Sequence, residues 1–358
     1  MPLLKNFDYG GDFMRHVHGG NIYANKCEID FSANMNPLGI PNEVKEAFLN
    51  AVEGIGFYPD PDCLELRSII AEKEKVDFSK IICSNGADEL IFALCFALRP
   101  KKALLAAPCF AEYEQALVSC GCEVEIYKTL EENNFRTGND FLEKIDGNTD
   151  IVFFTNPSNP VGNVYGGEYI KSLIERCRNG GAYIVVDECF MDFISDGDFR
   201  TAKNFIDYEK LIILKAFTKF YAIPGLRLGY GIFSSEETAE RVRGAMQTWN
   251  VSYPAQKAGV AALKCQIKKE TLELVEREKR YLVEEMRNLA VKIYGCGANF
   301  IFFKANADFG KNMLKNGILV RNCGNYYPLT EEYYRIAVRT HDENKRLIEI
   351  WKKIKGGV

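Results

Sequence analysis

The chain has 358 residues, 47% of them hydrophobic and 26% charged, the profile of an ordinary globular protein able to bury a large core and a smaller second domain. Its formal net charge is -4, with Lys and Arg scattered among acids, which disfavours a nucleic-acid partner. No apolar run approaches the ~20 residues of a membrane span, and the N-terminus lacks a charged segment followed by an apolar one, so a cytoplasmic protein is expected. The 12 cysteines are dispersed and many lie in apolar segments, as Cys83, Cys95 and Cys177 do, so reduced core thiols are expected rather than a disulfide scaffold. His16, His18 and His341 do not fall at metal-ligand spacing, and no metal site is expected.

Residues 1–40 are irregular, with His18-Gly-Gly-Asn21 and Asp30-Phe-Ser-Ala-Asn34-Met-Asn-Pro-Leu-Gly39. Their apolar anchors and low charge predict order, by packing across the entrance to a site. Pro41-Asn-Glu-Val starts an amphipathic helix to about Ala51, and Tyr58-Pro-Asp-Pro61 is a turn before a second helix to about Lys75. From Ile81 a βα rhythm sets in. Strand Ile81-Ile-Cys-Ser leads into Asn85-Gly86-Ala87-Asp88-Glu89, which opens a helix through Leu98. Strand Ala103-Leu-Leu-Ala precedes Pro108-Cys-Phe110-Ala-Glu-Tyr and its helix, and strand Glu123 to Tyr127 follows. Strand Ile151 to Thr155 leads into Asn156-Pro-Ser-Asn159-Pro160, then a helix at about 167–178 and strand Tyr183 to Asp187. Strand Leu211 to Leu214 precedes Thr218-Lys219, and a Pro-Gly break leads through Arg227 into a seventh strand.

Continuous apolar strands alternating with helices predict an α/β fold with a mainly parallel seven-stranded sheet between helices. Chemistry is then expected at the carboxyl ends of the strands. Beyond Ser234 a long charged helix spans about Ile267 to Leu289. Strands around Phe300–Phe303, Ile318–Val320 and Tyr334–Val338 and a last helix at about 342–354 follow, a smaller α/β domain. The expected organisation is an N-terminal segment over 1–40 packing on the small domain, a large domain over 41–250 and a small domain over 251–358, with the long helix as the bridge.

Each loop after a strand carries one residue with a possible chemical use. A lysine at the end of a buried strand is partly desolvated, which lowers its pKa and frees its lone pair for imine chemistry. Free amides after Gly86, with the helix dipole, suit a phosphate, and Thr218 and Arg227 offer further phosphate contacts. Asp187 suits a protonated ring nitrogen, the Asn159 amide a phenolate oxygen, and Phe110 a stacked ring. Taken singly, each reads equally well as a turn, a cap or a core residue. Together and in this order they are the parts that hold pyridoxal phosphate.

The order of these loops and the stretch Thr218-Lys219-Phe-Tyr-Ala-Ile-Pro-Gly-Leu-Arg227-Leu-Gly-Tyr230 resemble the fold type I pyridoxal-phosphate enzymes, in the branch containing the histidinol-phosphate aminotransferases, over nearly the whole chain. The His18-Gly-Gly-Asn21 start is more particular to the threonine-phosphate decarboxylases of cobalamin biosynthesis. The resemblance implies that Lys219 binds the cofactor covalently, Asp187 pairs with the pyridine nitrogen, Asn159 contacts the ring O3' and Phe110 stacks on the ring. The cofactor phosphate would be held by the amides of Ala87 and Asp88, by Thr218 and by Arg227. Tyr58 would reach that phosphate from a partner subunit, implying a homodimer with shared sites.

For a small phosphorylated amino-acid substrate, the resemblance implies that Arg335 binds the carboxylate and that Arg321, Asn34 and His18 hold the phosphate. Two departures stand out. Phe190 occupies a position that is tyrosine in the aminotransferases of the branch, and Ala216 one that is often Ser or Thr. The implied reaction is decarboxylation of L-threonine O-3-phosphate to (R)-1-amino-2-propanol O-2-phosphate. Transamination by a histidinol-phosphate or related aminotransferase using glutamate is the alternative, and a cofactor-binding regulator is a third. Which bond breaks depends on the orientation of the substrate, and both enzymatic readings stay open.

Overall fold

A computed structural model describes residues 18–356; residues 1–17 of the N-terminal segment, with His16, lie outside the described residues. The first half of the chain runs β1 (Ile29–Asp30), α1 (Asn42–Asn50), α2 (Leu64–Glu74), β2 (Ile81–Ser84), α3 (Ala87–Leu98), β3 (Lys102–Ala107), α4 (Ala111–Ser119), β4 (Glu123–Lys128) and α5 (Asn139–Glu143). It continues through β5 (Ile151–Thr155), α6 (Gly167–Gly180), β6 (Tyr183–Asp187), β7 (Leu211–Ala216), α7 (Phe217–Phe220), β8 (Gly229–Phe233) and α8 (Glu236–Arg243). The remainder is α9 (Tyr253–Lys264), α10 (Lys268–Asn288), β9 (Lys292–Gly295), β10 (Phe300–Lys304), α11 (Phe309–Lys315), β11 (Ile318–Leu319), β12 (Arg321–Asn322), β13 (Tyr333–Ala337) and α12 (His341–Gly356). No helix among the described residues is long and apolar enough to cross a membrane.

The large sheet has seven strands in the order β2-β8-β7-β6-β5-β3-β4. All its neighbours pair parallel except β8, which is antiparallel to both β7 and β2. Successive residues of a strand face opposite sides, and here both sides are apolar. Val152, Phe154, Ile184, Val186, Leu211 and Ile213 join the core beneath α2 and α6. Ile151, Phe153, Val185, Ile212 and Leu214 join the core beneath α3, α4 and α8. That two-sided burial is why these strands read as unbroken apolar runs rather than alternating ones.

A second, antiparallel sheet has the order β12-β13-β10-β9. The expected strand at Ile318–Val320 divides: Ile318 and Leu319 pair in parallel with Ile29 and Asp30, whereas Arg321 and Asn322 pair with Arg335 and Tyr334 of β13. Splitting at Val320 lets one extended stretch serve two sheets. It also ties the N-terminal segment to the C-terminal part of the chain and sets Arg321 directly opposite Arg335.

Within β7, Lys215 is buried in an otherwise apolar strand. Its Nζ lies 3.5 Å from Glu74 Oε1 and 3.7 Å from Asp192 Oδ1. Glu74 also accepts from Lys203 Nζ at 2.6 Å and from the Tyr230 hydroxyl at 2.7 Å. Burial opposes charge on Glu74, but Lys215 and Lys203 overcome it and hold the carboxyl at about 2. Because this lies below the ordinary value of 4.5, the stabilisation is complete above about pH 4.5 and is lost as pH falls towards 2. Breaking a buried ion pair costs about 3–5 kcal/mol. Glu74→Gln is therefore expected to destabilise the protein by that order at pH 7, with the gap to wild type narrowing below pH 4.5. Thermal denaturation across pH checks this; a gap independent of pH would refute it.

Candidate active site

The parallel strands bring their carboxyl ends to one edge of the large sheet. Because β8 runs the other way, its amino end arrives at that same edge, where Gly229 lies opposite Ala216. Arg227, two residues before β8, is thereby delivered beside the loops that follow β2, β3, β5, β6 and β7. A cavity of about 240 Å³ opens there. Ala87, Asp88, Phe110, Asn159, Asp187, Thr218, Lys219 and Arg227 line it, together with His18 and Asn34 from the N-terminal segment and Arg335 from β13. The segment's contribution is anchored at Gly19 and Gly20. A side chain on Gly19 would stand 2.2 Å from the Ser32 carbonyl oxygen, and the Gly20 amide donates to Ser32 Oγ at 2.7 Å.

At the start of α3, Gly86 has φ +82° and no side chain caps the helix, so the first-turn amides have no side-chain acceptor. A β-carbon on Gly86 would lie 2.6 Å from Arg227 Nη2, and one on Gly229 would lie 2.6 Å from the Ala87 nitrogen. Both glycines thus keep the helix terminus and the guanidinium close together. Arg227 Nη2 pairs with Asp88 Oδ2 at 2.8 Å. Burial raises the Asp88 carboxyl despite Arg227.

At the end of β6, Asp187 Oδ1 accepts from the Cys189 amide at 2.9 Å and Oδ2 from the Tyr113 hydroxyl at 2.5 Å. Tyr113 is fully buried, stacks on Phe153 at 5.1 Å and shares its hydroxyl with Thr155 Oγ1 at 3.1 Å. Across the cavity, Arg335 Nη1 donates to Asn159 Oδ1 and Nη2 to the Ser32 carbonyl at 3.1 Å, with the guanidinium 5.4 Å from the Phe300 ring centre. Among the described residues, Asn34 Oδ1, Glu112 Oε2 and Arg335 Nε are buried without a hydrogen-bond partner. Lys219 differs from Lys215: burial lowers its pKa, the positive charges of Arg335 and Arg227 add to that, and only Cys189 and Asp88 oppose it.

Residues 26–350 match the model of the family described as aminotransferase class I and II. The chain belongs to that family. It is 32% identical over 356 residues to a threonine-phosphate decarboxylase of Salmonella typhimurium, covering 96% of this chain and 97% of the relative. It is 29% identical to a histidinol-phosphate aminotransferase of Archaeoglobus fulgidus, over 93% of this chain and 94% of the relative. Among solved structures, a histidinol-phosphate aminotransferase from Clostridium acetobutylicum superposes with a TM-score of 0.84 at 27% identity, covering 92% of this chain and 99% of that one. The protein is accordingly a pyridoxal-phosphate-dependent enzyme of fold type I.

The cavity of this family member fits the cofactor on its own geometry. The uncapped α3 terminus beside Arg227 is a cradle for a phosphate, the doubly held Asp187 carboxylate is an acceptor for a ring N–H, and the Phe110 ring and the Lys219 amine, whose pKa burial lowers, complete the set. Phe190 also lines the cavity, packed edge-on against Phe300 at 5.1 Å, and offers no hydroxyl there. Ala216 lines it without one either. Two residues named from the sequence stand outside the lining. Tyr58 is 77% exposed and stacks on Trp249 at 4.3 Å. Arg321 is buried behind Arg335, donating to Asn325 at 2.6 Å and lying 5.1 Å from the Tyr326 ring centre.

The sequence reading passed over Glu112, Tyr113 and Tyr326. The first two stand two and three residues after Phe110, in the first turn of α4, and that position was the available signal; nothing local marks Tyr326. Burial lowers the pKa of the Lys219 amine below the ordinary lysine value of 10.5. Cofactor uptake by the apoprotein should hold its rate as pH is lowered from 10.5 and decline only once the depressed pKa is passed. Stopped-flow absorbance measures this, and Lys219→Ala should lose the visible band of the attached cofactor. A rate that declines from pH 10.5 downwards, or an unchanged band, contradicts the assignment.

Proposed function

We propose that the protein decarboxylates L-threonine O-3-phosphate to (R)-1-amino-2-propanol O-2-phosphate, a precursor for the side arm of cobalamin. The observation that carries this reading is the cavity lining, in which Arg335, Asn34 and His18 share one space with Lys219. A substrate with both a carboxylate and a phosphate calls for two anion-binding groups there. The Arg335 guanidinium, buried and already steered by Asn159 and Ser32, suits the carboxylate. His18 and the Asn34 side-chain NH2 suit the phosphate, with Arg321 supporting Arg335 from behind. When bound, pyridoxal phosphate supplies an electron sink for the bond cleaved at the substrate's α-carbon. Asp187, fixed in place by its two donors, would hold a proton on the ring nitrogen. Lys219 would be the group that returns a proton to the α-carbon.

The rival is transamination by a histidinol-phosphate-type enzyme, supported by the near-equal similarity to such enzymes. Phe190 argues for decarboxylation, since the phenol common to those aminotransferases is missing. Incubating the holoenzyme with L-threonine O-3-phosphate, with and without 2-oxoglutarate, separates the two. Release of CO2 without an acceptor is expected; glutamate formation without CO2 would assign the aminotransferase instead.

We also propose a homodimer with shared sites. Leu49, Ile55, Phe57, Tyr58 and Leu64 are all exposed, and beside them a groove of about 710 Å³ is lined by Met35, Ile40, Val44, Phe48 and Ile223. An apolar face of this extent is costly in water, and Tyr58 at its border is placed to enter a second copy. Sedimentation velocity should give twice the chain mass. Leu49→Asp should yield monomers that lose activity, and an active monomer would exclude shared sites.

A further inference from the structure

The cavity mouth holds a carboxylate that the reading above does not use. Glu112 lies in the first turn of α4 and accepts from His18 Nε2 at 2.7 Å. The two side chains differ in exposure, 13% for Glu112 against 45% for His18. Glu112 Oε2 is buried and has no hydrogen-bond partner among the described residues. The His18 ring also lies 6.0 Å from Phe110, tilted by 56°. His18 belongs to the segment whose β1 pairs with β11, whereas α4 follows β3 of the large sheet. The pair therefore spans the mouth from one side to the other.

We propose that Glu112 is a positioning residue that makes His18 an anion-binding group, and so selects substrates that carry a phosphate. This rests on the phosphorylated substrate proposed above. An exposed histidine after no regular structure has many orientations, and ordering it costs entropy. Holding Nε2 to a fixed carboxylate leaves Nδ1 as the nitrogen available to a ligand. When the ring carries both protons, Nδ1–H is a donor to a phosphate oxygen while Nε2–H stays with Glu112. The acid has a second consequence. A bare carboxylate at the mouth would repel a dianion, whereas a carboxylate covered by imidazolium presents the cation outward. Glu112 thus acts through His18, and a substrate without phosphate gains nothing from either residue.

The test uses holoenzyme and two ligands, L-threonine O-3-phosphate and L-threonine, with binding read from the change in the visible cofactor spectrum and turnover followed in parallel. Glu112→Ala should weaken binding of the phosphorylated ligand and raise its KM by roughly tenfold or more, the size of a lost charge-assisted hydrogen bond. The change in kcat should stay within about threefold, since the positioned group binds in ground and transition states alike. L-threonine binding and the unliganded cofactor spectrum should not change. Glu112→Gln, which keeps an acceptor for Nε2–H, should recover part of the loss.

In a His18→Ala background, Glu112→Ala should add less than about twofold, as expected when one residue works through the other. An equal loss for both ligands, or an undiminished loss in the His18→Ala background, would overturn the proposal. So would failure of the phosphorylated ligand and of inorganic phosphate to perturb the holoenzyme spectrum. Glu112-dependent binding without CO2 release would leave this inference standing and overturn the decarboxylase reading instead.

Discussion

Two lysines four residues apart at the end of one buried strand meet opposite electrostatic conditions, and the site depends on that difference. Both pay the cost of leaving water. Lys215 recovers it from Glu74, Asp192 and Glu188, which keep it charged against the effect of burial. Glu188 shares that strain, since burial pushes it up to about 7 against Lys215, the Ala202 amide and the Thr201 hydroxyl. Among the described residues Lys219 has no carboxylate in hydrogen-bond contact, and burial lowers its pKa, with Arg335 and Arg227 adding to that. One lysine is a structural cation, and the other is the nucleophile of the reading proposed above. The change of partner takes place across the single turn of α7.

The same economy governs the rest of the edge. A parallel sheet gathers strand ends, but it gathers carboxyl ends only. The reversed β8 adds an amino end, and with it Arg227 in the left-handed conformation at φ +50°. This turn, which is strained for a residue with a side chain, points the chain from Pro224-Gly225 into the strand. The second sheet contributes from the other side. Arg321 and Arg335 oppose each other across β12 and β13, two buried cations whose mutual repulsion is tolerated next to aromatic rings and polar acceptors.

Overall similarity does not choose between the reactions of this family, because the chain stands about as near to a threonine-phosphate decarboxylase as to histidinol-phosphate aminotransferases. The choice rests on a few side chains around a common cofactor frame. Phe190 removes a phenol from one wall. Glu112 and His18 pair across the mouth. These groups act on how a substrate is held rather than on the chemistry of the cofactor, and orientation is what selects the bond that breaks.

Much of this was legible in the residues themselves. The apolar runs at Ile151–Thr155 and Leu211–Leu214 announced a sheet buried on both faces, because only such a sheet tolerates no polar alternation. The glycine, aromatic, amide, acid, lysine and arginine loops announced the cofactor, because each follows its own strand and parallel strands end together. Three-dimensional packing decided what no local pattern carries. It split Ile318–Asn322 between two sheets, placed Arg321 behind Arg335 rather than in the cavity, and turned Tyr58 outward. It set the Tyr113 hydroxyl on Asp187 across a separation of 74 residues. The order of chemical groups along the chain was therefore written in the sequence alone. Which lysine is paired, which arginine faces the ligand and which acid holds the mouth were decided by tertiary structure, since burial and charge are properties of neighbours in space.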